Sequence, residues 1–80
     1  MHKKTALLIN KMINESPYNH FSCDVVPNPG GSDGFWKCYI KFDSRDDTHS
    51  NSLVESLEHI GMVYGEELCI EDKGMIVEVS

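Results

Sequence analysis

Eighty residues, 40% apolar and 25% charged, describe one small folded domain and exclude a disordered chain. No run approaches the roughly 20 apolar residues of a membrane span, and the N-terminal MHKKTALLINKMINES is interrupted at Asn10 and Lys11 and lacks a small-residue cleavage site, which reads against a secretory signal. The formal charge of −6 is uneven: residues 1–45 carry six basic groups and four acids, whereas residues 46–80 carry Lys73 alone against nine acids.

Residues 3–15 read as a helix, with Thr5, Leu8, Ile9, Met12 and Ile13 on one stripe. Leu7 falls off that stripe, beside Lys4 and Lys11, and Pro17 ends the helix near Ser16. Residues 20–26 and 35–43 alternate. Phe21, Cys23 and Val25, and Trp36, Cys38, Ile40 and Phe42, form apolar faces; Phe35, Lys37, Tyr39 and Lys41 lie on the reverse. Pairing Val26 with Phe35, Val25 with Trp36, Cys23 with Cys38 and Phe21 with Ile40 puts every apolar residue on one side. The connection is then an eight-residue loop, Pro27 to Gly34, whose prolines and glycines suit a wide hairpin.

The polar stretch 44–52 holds several helix caps, among them Asp47, Thr48, Ser50 and the capping box that starts at Ser52. The helix turns Leu53, Val54, Leu57 and Ile60 inward and Glu55 and Glu58 outward, with Gly61 expected as its C-terminal cap and 62–65 as a linker. EELCIE and MIVEVS then form a hairpin around Asp72, Lys73 and Gly74. A two-residue loop aligns Leu68, Ile70, Met75, Val77 and Val79; a three-residue loop gathers Cys69, Met75, Val77 and Val79 instead. Both remain open at this point. The order α-β-β-α-β-β implies an α+β two-layer sandwich: a four-stranded, mainly antiparallel sheet with two helices on one face.

Chemistry is sparse. His2, His20, His49 and His59 lack metal-site spacing, and Cys23, Cys38 and Cys69 form no CxxC. Neither a metal nor a cofactor is expected, and the unpaired cysteine number suits a reducing cytoplasm. There is no GxSxG elbow, and a chain this small has little interior for a pocket, so no catalytic residue is assigned. The 27–34 loop lacks the GK[ST] ending of a phosphate-binding loop and leads into a strand. Adjacent Cys23 and Cys38 read as buried thiols, with a redox-sensitive disulfide as the alternative.

The leading expectation is a non-enzymatic cytoplasmic interaction module, a homodimer formed through the uncovered sheet face at Phe35, Lys37, Tyr39 and Lys41. A second surface is acidic: Glu55, Glu58, Glu66, Glu67, Glu71 and Asp72. It suggests an alternative, an acidic nucleic-acid mimic of the phage or mobile-element anti-defence type that docks on a basic partner. A third reading is a small ligand-binding or catalytic domain using the 27–34 loop with Asp33. Direct nucleic-acid binding fits poorly with the acidic half, despite the Lys37, Tyr39 and Lys41 array.

Overall fold

The computed structural model describes residues 1–15, 21–28, 35–44 and 46–80. Its elements are α1 (Lys3–Asn14), β1 (Phe21–Pro27), β2 (Trp36–Phe42), α2 (Asp47–Tyr64), β3 (Ile70–Asp72) and β4 (Ile76–Val79). The strands form one antiparallel sheet in the order β1-β2-β4-β3. The α-β-β-α-β-β order and the α+β class are those the sequence implies.

One apolar cluster joins the layers. Ala6, Ile9 and Ile13 of α1 and Leu53, Leu57 and Ile60 of α2 share it with Cys23, Cys38, Ile40, Phe42, Val77 and Val79 of the sheet. Both helices therefore cover the same sheet face. Ile9, Ile40, Leu57, Val77, Val79 and Cys38 are the largest fully buried side chains, and full burial of a Leu or Ile contributes about 1.5–3 kcal/mol. Helix α1 lies directly across β1 and β2, whereas the backbones of α1 and α2 barely approach one another.

The first hairpin keeps the expected faces in a different register. Phe21 pairs with Phe42, Cys23 with Ile40 and Val25 with Cys38, so Cys23 is not opposite Cys38 and Val26 is opposite Lys37 rather than Phe35. The shift is two residues on the partner strand, and the side-chain period of two makes such registers equivalent in apolar pattern. Packing decides between them: the Phe21 and Phe42 rings meet edge to face at 4.9 Å. Pro27 belongs to the strand, opposite Trp36. Of the 27–34 loop only Pro27 and Asn28 are among the described residues; Asp33 lies outside them.

Helix α2 starts earlier and ends later than its sequence signals suggest. Asp46 is the N-cap, its carboxylate accepting the Thr48 N–H at 2.8 Å. Gly61 is not the C-terminal cap. The helix continues through Tyr64 and closes on Gly65, which has a left-handed φ of 67°. Gly61 is needed for space instead: a Cβ there would lie 2.9 Å from the Glu66 carbonyl oxygen.

In the second hairpin Ile70 pairs with Val79 and Asp72 with Val77. That is the parity of the two-residue loop, so Leu68, Ile70, Val77 and Val79 share the core side. The turn is placed at Gly74 and Met75, since the Lys73 N–H reaches the Ile76 carbonyl at 2.8 Å. Gly74 takes a φ of 90° and its N–H donates to Asp72 Oδ1 at 3.0 Å.

Met1 and His2 extend this sheet. The Trp36 N–H donates to the Met1 carbonyl at 2.8 Å, and His2 bridges to Phe35. Helix α1 has no acid in its first turn; Glu66 substitutes, accepting the His2 N–H at 2.9 Å.

Candidate interaction surface

The open face of the sheet reads as a grid. Tyr39 lies between Asp24 and Glu78, and Glu78 is opposite Glu71; Lys41 lies between Ser22 and Ile76. Lys37 adjoins Val26 and reaches Glu78 at 3.6 Å and the Tyr39 ring at 5.4 Å. Lys73 bridges the two acids that face each other across strands, 2.9 Å from Glu78 and 3.8 Å from Glu71. That ion pairing holds the Glu78 carboxyl below its ordinary range and raises the Lys73 ammonium. Lys37, Lys41 and Lys73 thus balance Asp24, Glu71 and Glu78 on a face of mixed sign. Phe35 belongs to the same side but stands at one end, with the His2 ring stacked 6.4 Å away.

The six acids of the expected acidic surface are dispersed. Glu55 and Glu58 are exposed on α2. Glu66 is turned inward beneath the start of α1, with a side chain 13% exposed. Burial pushes its pKa up, but the Thr5 hydroxyl, the His2 N–H, the His2 ring and the N-terminal ammonium outweigh it and hold the carboxyl below the usual glutamate range. Glu67 is exposed after the helix, Glu71 lies on the open sheet face, and Asp72 is engaged in the turn.

Other exposed apolar side chains gather on the helix layer. Leu7, Val63 and Tyr64 are 51%, 61% and 49% exposed. Three hollows run end to end between the helices. The first, of about 450 Å³, is lined by Met12, Ile13, Phe21, His49, Ser52, Leu53 and Ser56. The second, of about 270 Å³, shares Met12 and adds Leu8, His59, Ile60, Val63 and Tyr64. The third, of about 210 Å³, shares Leu8 and Tyr64 and ends at Lys4, Leu7 and Lys11. Together they form one furrow along the seam that the separated helix backbones leave open.

Its chemistry is one-sided. Lys4 and Lys11 form a basic bank on α1; His49, Ser52, Ser56 and His59 line the α2 side; among the described residues no carboxylate lines it. In a chain of net charge −6 that exclusion is informative. Asp46 stands at one end, its Oδ2 3.9 Å from His49 Nδ1. The volume of the furrow lies between the helices at the surface rather than inside the core.

The furrow went unread in the sequence for two reasons. Leu7 in sequence is a solitary leucine off the buried stripe, and Gly61 makes Val63 and Tyr64 read as a linker. Once α2 runs to Tyr64, the pairs His59–Val63 and Ile60–Tyr64 fall at the i, i+4 spacing of one helix side.

Cys23 and Cys38 are free and buried, and Cys69 is free and exposed. Contact with Cys23 and burial both push the Cys38 thiol up, and it faces the Ala6 carbonyl at 3.6 Å. Among the described residues, no three His, Cys, Asp or Glu side chains converge to hold a metal ion, and no helix is long and apolar enough to cross a membrane. Compared with protein-family models, curated proteins and solved structures, the chain matches none.

Proposed function

We propose that the protein is a cytoplasmic, non-enzymatic interaction module whose working surface is the furrow between α1 and α2, and that its ligand is an acidic amphipathic helix. The observation that carries this is the coincidence of exposed Leu7, Val63 and Tyr64 with a lining that holds no carboxylate among the described residues and with the Lys4 and Lys11 bank. Helices commonly dock in such grooves through apolar anchors at i, i+3, i+4 and i+7. Acidic residues flanking those anchors complement the lysines and set the orientation. The open sheet face supports docking less well, because Lys37 and Lys73 are already paired with Glu78 and Glu71. The cytoplasmic setting is supported by the two buried free thiols.

The test uses two designed helical peptides with leucines at i, i+3, i+4 and i+7, one with glutamate and one with lysine at the remaining positions. Titration calorimetry is expected to show binding of the glutamate peptide, weakened at least about tenfold by Leu7→Asp, which is about 1.4 kcal/mol. The lysine peptide is expected not to bind. Equal binding of both peptides, or full affinity in Leu7→Asp, overturns the reading.

A further inference from the structure

We infer that the acidic helix received by the furrow is α2 of a second copy of this chain; this rests on the furrow being the working surface. The complement is present in the molecule itself. Asn51, Glu55, Glu58 and Met62 are all exposed and follow one another at spacings of four, three and four residues, which places them on one ridge of α2. Met62 is 81% exposed, the most exposed large apolar side chain among the described residues. It stands beside two carboxylates with no lysine or arginine anywhere in α2. Across the layer, α1 presents Lys4, Leu7, Leu8 and Lys11, also at helical spacing. One helix offers base–apolar–base, the other acid–acid–apolar.

The two surfaces lie side by side on one layer, α1, furrow and then α2. A two-fold axis parallel to the layer can therefore set the α2 ridge of each copy into the furrow of the other. Such a contact is isologous and closes as a dimer instead of propagating as a fibre. Met62 of each copy then meets the apolar floor at Leu8 and Tyr64, and Glu58, one turn N-terminal to Met62, comes level with one of the two lysines, Lys4 or Lys11, that flank that floor. A standard interface removes about 800 Å² per partner, roughly a sixth of the 5116 Å² this chain exposes.

The experiment is a charge swap read by sedimentation equilibrium over a concentration series of the full chain. One variant is the double substitution Glu55→Lys with Glu58→Lys; the other is Lys4→Glu with Lys11→Glu. All four side chains are exposed, and circular dichroism confirms that each variant folds. The wild type is expected to dimerise, and each variant alone to dimerise at least tenfold more weakly. An equimolar mixture of the two variants is expected to recover the dimer, since both contacts of the mixed pair then join opposite charges. A wild type that stays monomeric, while still binding the glutamate peptide, overturns self-docking and leaves the proposed function standing. A monomer that also fails to bind the peptide removes both. A dimer that survives both swaps unchanged associates through another surface and overturns the inference.

Discussion

The Asn10 side-chain amide donates a 2.9 Å hydrogen bond to the Cys23 carbonyl oxygen, and the Cys23 N–H in turn donates to Asn14 Oδ1 at 3.4 Å. Helix α1 thereby occupies the outer edge of β1 at one register position, where another strand would otherwise pair. The opposite edge, β3, is only three residues long and carries Glu71 and Asp72. Both edges are thus guarded by devices that oppose sheet-to-sheet growth, which is a further reason to look for partners on the helix layer.

The asparagine clamp has a measurable role. Asn10→Ala is expected to lower stability by about 0.5–1.5 kcal/mol, the usual net worth of one hydrogen bond. The double change with Asn14→Ala is expected to lose more and to increase aggregation on warming. Urea unfolding and turbidity check both; unchanged stability in the double variant would contradict the clamp.

Gly61 and Gly65 are glycines for different reasons, and alanine separates them. At Gly61 a methyl meets the Glu66 carbonyl oxygen at 2.9 Å, so Gly61→Ala is expected to cost about 1–3 kcal/mol by overpacking. This should outweigh the helix-propensity gain of about 1 kcal/mol. Gly65→Ala meets open space but keeps a φ of 67°, at about 1–2 kcal/mol of backbone strain. A stabilised Gly61→Ala in thermal melts would contradict the close approach.

Glu66 gives a pH signature. Its folded pKa is depressed, so its contribution is present above the ordinary glutamate value of about 4.3. That contribution is lost as pH falls through the folded value. Glu66→Gln is expected to be less stable than wild type by about 1–2 kcal/mol at pH 7, with the gap closing toward acid pH. A gap that stays constant from pH 7 to about pH 3 would show that the carboxylate charge plays no part.

Core and furrow should respond oppositely to substitution. Leu57 is fully buried, and Leu57→Ala is expected to cost about 2–5 kcal/mol. Leu7 is half exposed, and Leu7→Asp should change stability by no more than about 0.5 kcal/mol while abolishing most peptide binding. A large stability loss in Leu7→Asp would reassign that residue from the surface to the core.

Much of this fold was legible because apolar periodicity fixes which face of each element is buried. Cys23, Cys38, Ile40 and Phe42 point where alternation puts them. The exact β1–β2 register was not legible, because sliding by two residues keeps the same faces, while contacts such as that of Phe21 with Phe42 are tertiary. The end of α2 was misread because a glycine after an apolar run resembles a cap; Gly61 is small for the sake of Glu66, a tertiary reason that local pattern does not carry. That error hid the site, since Val63 and Tyr64 come beside Leu8 only when the helix continues. Charge asymmetry between the two halves was visible, but its spatial meaning, a basic bank on α1 beside the furrow and an acidic ridge on the side of α2 away from it, needed the layer to be built.

The most direct measurement is amide-resolved nuclear magnetic resonance of the full chain during titration with the glutamate-bearing helical peptide. Saturable shifts are expected at residues 4–12 and 52–64, the two banks of the furrow. Shifts confined to residues 22–26 and 37–41 would place recognition on the open sheet face and contradict the central claim, as would the absence of any saturable change.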